Sequence, residues 1–160
     1  MIKRNIYLDF SYLLVIAATL GAVLVLGALV APVVFHNDNL LVGMLLDHYN
    51  SGIIMGEIFR RFSFWIYFVT AYVFVYEAMM YKKGQRDNIA IVSGFITMFT
   101  SLLFAAVYTP KILEMQKLGT EATQSDTFDN IHIASEIDFK ILAVALFILF
   151  IRRLMLLRTS

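Results

Sequence analysis

The chain has 160 residues, of which 60% are apolar and 16% charged, with 14 Phe, 8 Tyr, 8 Met and no Cys. A soluble domain is about 45–50% apolar and about 25% charged, and needs that polar share to cover its surface, so a water-soluble globular fold is excluded. The lack of Cys removes disulfide scaffolds and thiolate metal sites, and a formal charge of +1 offers no basic field for nucleic acid.

What remains is an integral membrane protein, expected to be all-α: a four-transmembrane-helix antiparallel bundle within a single membrane domain. A helix crossing ~30 Å of hydrocarbon needs about 20 residues. Residues 10–35 carry no charge and form the first span. It is longer than a signal-peptide core and lacks a small-residue cleavage site, so it is expected to stay attached. Residues 36–61 mix polar groups with Leu40, Leu41, Met44, Leu45, Ile53, Ile54 and Ile58. That pattern predicts a short interfacial helical segment between helices 1 and 2. The second span, 62–81, is broken only by Glu77, and the short turn through Gly84 makes spans two and three antiparallel neighbours. Span three, 89–110, is again uncharged. Residues 111–130 are polar, with Gly119 and a Thr/Ser/Gln cluster, and read as a mobile loop. The fourth span, 131–151, carries His132, Glu136, Asp138 and Lys140 in its first half.

Lys and Arg in the flanks set the orientation. Lys3, Arg4, Lys82, Lys83, Arg86, Arg152, Arg153 and Arg158 fall on one side. Arg60, Arg61, Lys111 and Lys117 lie on the other among more numerous acids. Both termini are therefore expected in the cytoplasm and two acidic loops outside. The expected location is the cell membrane, the inner one if the source is Gram-negative. Ala17/Gly21 and Gly27/Ala31 are small-residue pairs suited to a homo-oligomer.

Span four holds the sharpest chemical feature. At 1.5 Å per residue, Lys140 lies roughly 18 Å outward of Arg152, near mid-membrane, with Asp138 and Glu136 further out. Such charges cost at least ~2.5–3.5 kcal/mol each unless they face protein or water. Glu136 and Lys140 are spaced i,i+4 with the acid first, the favourable order for an ion pair. Asp138 lacks a local partner, and Arg61 is its expected one. Two readings stand: a buried ion network that docks span four, or the polar lining of an outward-facing pocket for an ion or small ligand. The pocket would gather His36, Glu57, Arg61, His132, Glu136, Asp138 and Lys140.

His36 and His132 are expected at similar depth. Imidazole with carboxylate suits a divalent metal, which makes His36, His132 and Glu136 a candidate metal set. Two imidazoles also suit haem iron, with His36 and His132 as axial ligands of a redox protein. Gly52 and Gly56 give a small face for close helix packing, and Glu57 and Arg61 are again i,i+4. Pro32 and Pro110 are expected to close spans one and three. Ser93, Thr97, Thr100 and Ser101 form a hydroxyl stripe better explained by helix packing than by a conduit. The chain has no P-loop, dinucleotide-binding glycine pattern or Ser-His-Asp arrangement, so the reading leans away from an enzyme.

Four stretches carry a family resemblance. They are Ala31-Pro32-Val33-Val34-Phe35, the Gly52/Gly56-Glu57-Ile58-Phe59-Arg60 segment, Tyr108-Thr109-Pro110, and Phe128-Asp129-Asn130-Ile131-His132-Ile133-Ala134-Ser135. In this order they resemble the small four-helix membrane family known as domain of unknown function 4149, similar to the transmembrane protein 205 group. The resemblance implies architecture more than activity. In plan the family also resembles, distantly, copper-resistance protein D and the haem-binding membrane protoporphyrinogen oxidase group, which implies metal or haem handling.

Overall fold

The computed structural model describes residues 5–36 and 47–158, and every regular element among them is a helix. Helix α1 (Ile6–Phe35) starts where the Asn5 side chain accepts a hydrogen bond from the Tyr7 N–H. Helix α2 (His48–Lys82) is capped in the same way by Asp47, which accepts from the Asn50 N–H. The chain then reverses through Gly84, whose φ of 89° is cheap only for glycine. Helix α3 (Asn88–Lys117) is capped by Asp87, and Gly119, at φ 98°, leads into the single turn α4 (Thr120–Thr123). Helix α5 (Asp126–Arg158) runs to the end of the described chain.

Three expectations need correction. Pro32 and Pro110 do not close their helices. A proline ring clashes with the carbonyl four residues back. Here the preceding turns widen into π-helix, over Leu26–Val30 and Leu103–Tyr108. The N–H of Ala31 then bonds to the Leu26 carbonyl, and that of Thr109 to the Phe104 carbonyl. Such π segments absorb the misfit, and α-helix resumes as Ala31–Phe35 and Thr109–Lys117.

The second correction concerns the segment before span two. Its described part, residues 48–61, is continuous with span two in one 35-residue helix rather than a separate interfacial element. No proline interrupts it, and its glycines are packed. Leu40, Leu41, Met44 and Leu45 lie outside the described residues, as do Lys3 and Arg4. Third, residues 111–130 are largely helical, divided among the end of α3, α4 and the start of α5.

Specific contacts hold the helices together. Between α1 and α2, Tyr12 stacks on Tyr76 with centroids 3.6 Å apart, and Trp65 donates to Thr19 at 3.0 Å. Between α2 and α3, Tyr67 donates to the Ala105 carbonyl at 2.9 Å, which satisfies an acceptor within the second π segment. Farther along, Gly52 and Gly56 admit Gln116: its Nε2 donates to the Gly52 carbonyl at 2.8 Å. A Cβ on Gly56 would come within 2.5 Å of Gln116 Oε1. Between α1 and α5, Gly27 lets the Phe139 ring approach to 3.5 Å from where a Cβ would be. Behind it Phe139 and Phe104 pack on each other, and Phe59 and Phe62 each pack on both.

Helices α1, α2 and α3 are each long and apolar enough to cross a membrane. Their surfaces agree, since Leu14, Phe64, Phe74, Phe95 and Phe99 stand exposed around an interior of Ile16, Ile66, Val69, Val73 and Leu146. Apolar residues outside as well as inside are what a lipid solvent demands. Helix α5 is 33 residues long but carries charge at both ends, leaving residues 141–151 as its uncharged centre.

Candidate functional site

The charged residues toward the proline end are mostly paired along their own helices. Glu57 accepts from both Arg60 and Arg61 at 2.7 Å. Glu136 lies 3.3 Å from both Lys140 and His132, and His132 stacks on Phe128. These pairs follow from i,i+3 and i,i+4 spacing, and all are exposed. Arg61 therefore meets Glu57 and does not supply the expected partner of Asp138. Nδ1 of His36 lies 3.2 Å from the Pro32 carbonyl of its own helix. Among the described residues, no three His, Asp or Glu side chains gather as a metal would require, so His36, His132 and Glu136 are not brought together as ligands.

At the other end lies a buried network that the residue spacing did not reveal. Arg153 on α5 is 2% exposed. Its Nε donates to Glu77 Oε1 at 2.9 Å, a second guanidinium nitrogen bonds Glu77 Oε2, and a third donates to Gln85 at 3.2 Å. The guanidinium also lies over the Tyr76 ring, 5.3 Å from its centroid. Tyr12 donates to Glu77 at 2.7 Å, and Tyr76 donates to buried Asp9 at 2.6 Å. Gly94 clears the space that Glu77 occupies, because a Cβ there would lie 3.2 Å from Glu77 Cγ. One cation thus ties α1, α2, the α2–α3 turn and α5 together. Beside it, Arg152 donates twice to Asp87, at 2.9 and 2.5 Å. These bonds hold the Asp87 carboxyl well below the usual carboxylate range, at about 2, helped by the Ala90 N–H that it caps.

The Asp87–Arg152 pair also fixes the register of α3 against α5. Beyond it, Ile89, Val92 and Ile96 line one groove with Ile148, Val144 and Ile141. Counting on by three residues from Ile141 and from Ile96 reaches Asp138 and Phe99. Asp138 is therefore level with the turn between Thr97 and Ser101. All three side chains are buried, and Asp138 is 5% exposed. Asp138 Oδ2, Thr97 Oγ1 and Ser101 Oγ share one property: none has a hydrogen-bond partner within the protein.

Ser93, Thr100, Thr19, Ser63, Thr70 and Ser135 all donate to carbonyls of their own helices. Thr97 and Ser101 sit in the same kind of backbone and do not. A buried polar atom without a partner is costly, and a buried carboxylate more so, which makes this layer the chemically exceptional part of the interior. The hydroxyl stripe was visible in the sequence. Its coincidence with Asp138 was not, because that depends on the α3–α5 register.

The sequence profile of the family described as "Domain of unknown function (DUF4149)" matches residues 14–121. The chain belongs to this family. The match covers α1 to α3 and stops short of α5, so the Phe128–Ser135 segment lies outside it. No curated protein and no solved structure matches the chain.

Proposed function

For this member of a family without an assigned activity, we propose a non-enzymatic, multi-pass protein of the cell membrane that holds a small cation or an exchangeable proton at Asp138. In this reading α5 is the fourth crossing of an antiparallel four-helix bundle. Its support is the register: α5 lies along the full uncharged length of α3, with Arg152 and Arg153 level with the α2–α3 turn. The excess of Lys and Arg at that end favours its placement in the cytoplasm. Both termini then lie inside, and the charged groups around Glu57, Arg61 and His132 face outward as a polar rim.

The observation that carries the proposal is the unpartnered Asp138 Oδ2, level with the unpartnered Thr97 and Ser101 hydroxyls. An isolated carboxylate in a dry interior is neutralised by a proton or by a counter-ion. Two hydroxyl oxygens at the same level supply further hard-oxygen ligands, the donor type that alkali and alkaline-earth cations take. Thermal unfolding of the purified protein in detergent tests this. Sodium, potassium, lithium or calcium, or acidification, should raise the melting temperature relative to choline at neutral pH. Asp138→Asn should abolish that response. A wild-type melting temperature indifferent to every cation and to pH between 5 and 9 would overturn it.

A further inference from the structure

We infer that the lipid-facing side of α5 is covered in the membrane by a second copy of this chain, docked two-fold through Glu136 and Lys140. The inference rests on the reading of α5 as a membrane crossing. The observation behind it is one of depth. The α3–α5 register sets Lys140 level with Thr97 and Met98, near the middle of the uncharged stretch 89–110. Yet the Lys140 side chain is 74% exposed and that of Glu136 53% exposed. Snorkelling does not resolve this. A lysine reaches about 6 Å, whereas half of a ~30 Å hydrocarbon core is about 15 Å. Charges at such depth persist where they face protein or water.

The surface around them has the form of a helix–helix seam. Ile133, Ile137, Lys140, Val144 and Phe147 recur at alternating steps of four and three, and all five are exposed. That spacing keeps one face turned toward a neighbouring helix over several turns. Ile137, Lys140, Ile141 and Val144 line an open groove of about 290 Å³, wide enough to seat side chains from a facing helix.

Charge complementarity identifies the occupant. A two-fold axis along the membrane normal is the symmetric arrangement that inserts both copies in the same orientation. It brings two α5 helices together in parallel, each with a cation and an anion one turn apart. Helical side chains lean toward the N-terminus, so each Lys140 inclines toward the level of Glu136 on the second copy. Such a patch is self-complementary, as an isologous contact requires. A lone polar residue in an otherwise apolar seam also fixes its register and partner number.

The chain has no Cys, so single cysteines can be placed without background. Ile137→Cys and Val144→Cys, oxidised in native membranes, should each give a covalent dimer of this chain. Phe95→Cys and Leu14→Cys, equally lipid-facing on α3 and α1, should give at least tenfold less. In the Val144→Cys background, E136K should reduce the dimer at least tenfold, and E136K with K140E should restore it. Absence of dimer at both seam positions overturns the inference, as do equal yields at all four positions, adducts with a different protein, or indifference to E136K. Labelling of Thr120→Cys and Arg158→Cys by a membrane-impermeant maleimide separates this from the crossing itself. Labelling from the same side overturns the fourth crossing and the dimer together. Labelling from opposite sides without cross-linking overturns the dimer alone.

Discussion

Arg153 on α5 and Glu77 on α2, 76 residues apart, meet in the interior through two guanidinium–carboxylate hydrogen bonds, one of them 2.9 Å long. Breaking such a pair from one side strands the other charge, at a cost of about 3–5 kcal/mol. Arg153→Leu or Glu77→Leu alone should lower the melting temperature sharply and reduce the yield of monodisperse protein. The double variant should recover most of the loss, because neither member of the pair is then left as a buried unpaired charge. Thermal unfolding of the three variants in detergent checks this, and a double variant as unstable as either single one would count against it.

Asp87 gives an acid-dependent contribution from outside the membrane-spanning segments. Arg152 holds its carboxyl at about 2, below the ordinary value of about 3.9. The native state therefore binds the proton less readily than the unfolded chain does. The stability gained is present above about pH 4 and is lost as pH falls toward about 2. Arg152→Gln should flatten this part of the pH–stability curve by lowering its neutral side toward the acid one. Denaturation midpoints between pH 2 and pH 6 measure it. Asp87→Ala should cost about 1 kcal/mol more than Asp87→Asn, because Asn still caps α3.

At Gly56 the first turns of α2 and the last turns of α3 approach closely. Gly56→Ala places a methyl group within 2.5 Å of Gln116 Oε1, so the Gln116 bond to Gly52 must yield. The loss of that bond should cost about 1 kcal/mol. Gly56→Leu should separate the helices and cost several-fold more. Gly21→Ala, where a Cβ meets nothing within 4 Å, should be neutral and serves as the control. The same unfolding assay ranks the three.

What could be read from the residues depended on how far apart the interacting groups lie. Apolar runs long enough to cross hydrocarbon marked α1, α2 and α3. Glu57 with Arg61 and Glu136 with Lys140 were legible because helical spacing alone brings them together. The same logic explains the failed Arg61–Asp138 pairing, since Glu57 lies one turn from Arg61 and competes at no entropic cost. Pro32 and Pro110 misled for a different reason: the rule that proline ends a helix omits the π turn that accommodates it. The Arg153–Glu77–Tyr12 network and the Thr97–Ser101–Asp138 layer join residues far apart in sequence. Glu77, the one charge in an otherwise apolar run, was the signal that something had to meet it.

In the proposed function the Asp138 carboxyl is neutralised inside the protein, in company with Thr97 and Ser101. Infrared difference spectroscopy of wild type against Asp138→Asn, in lipid, reads that carboxyl directly. Expected is a carboxyl band, absent from the variant, that shifts when sodium is replaced by choline or the pH is changed. A band with the frequency of a freely hydrated carboxylate, insensitive to both exchanges, would contradict it.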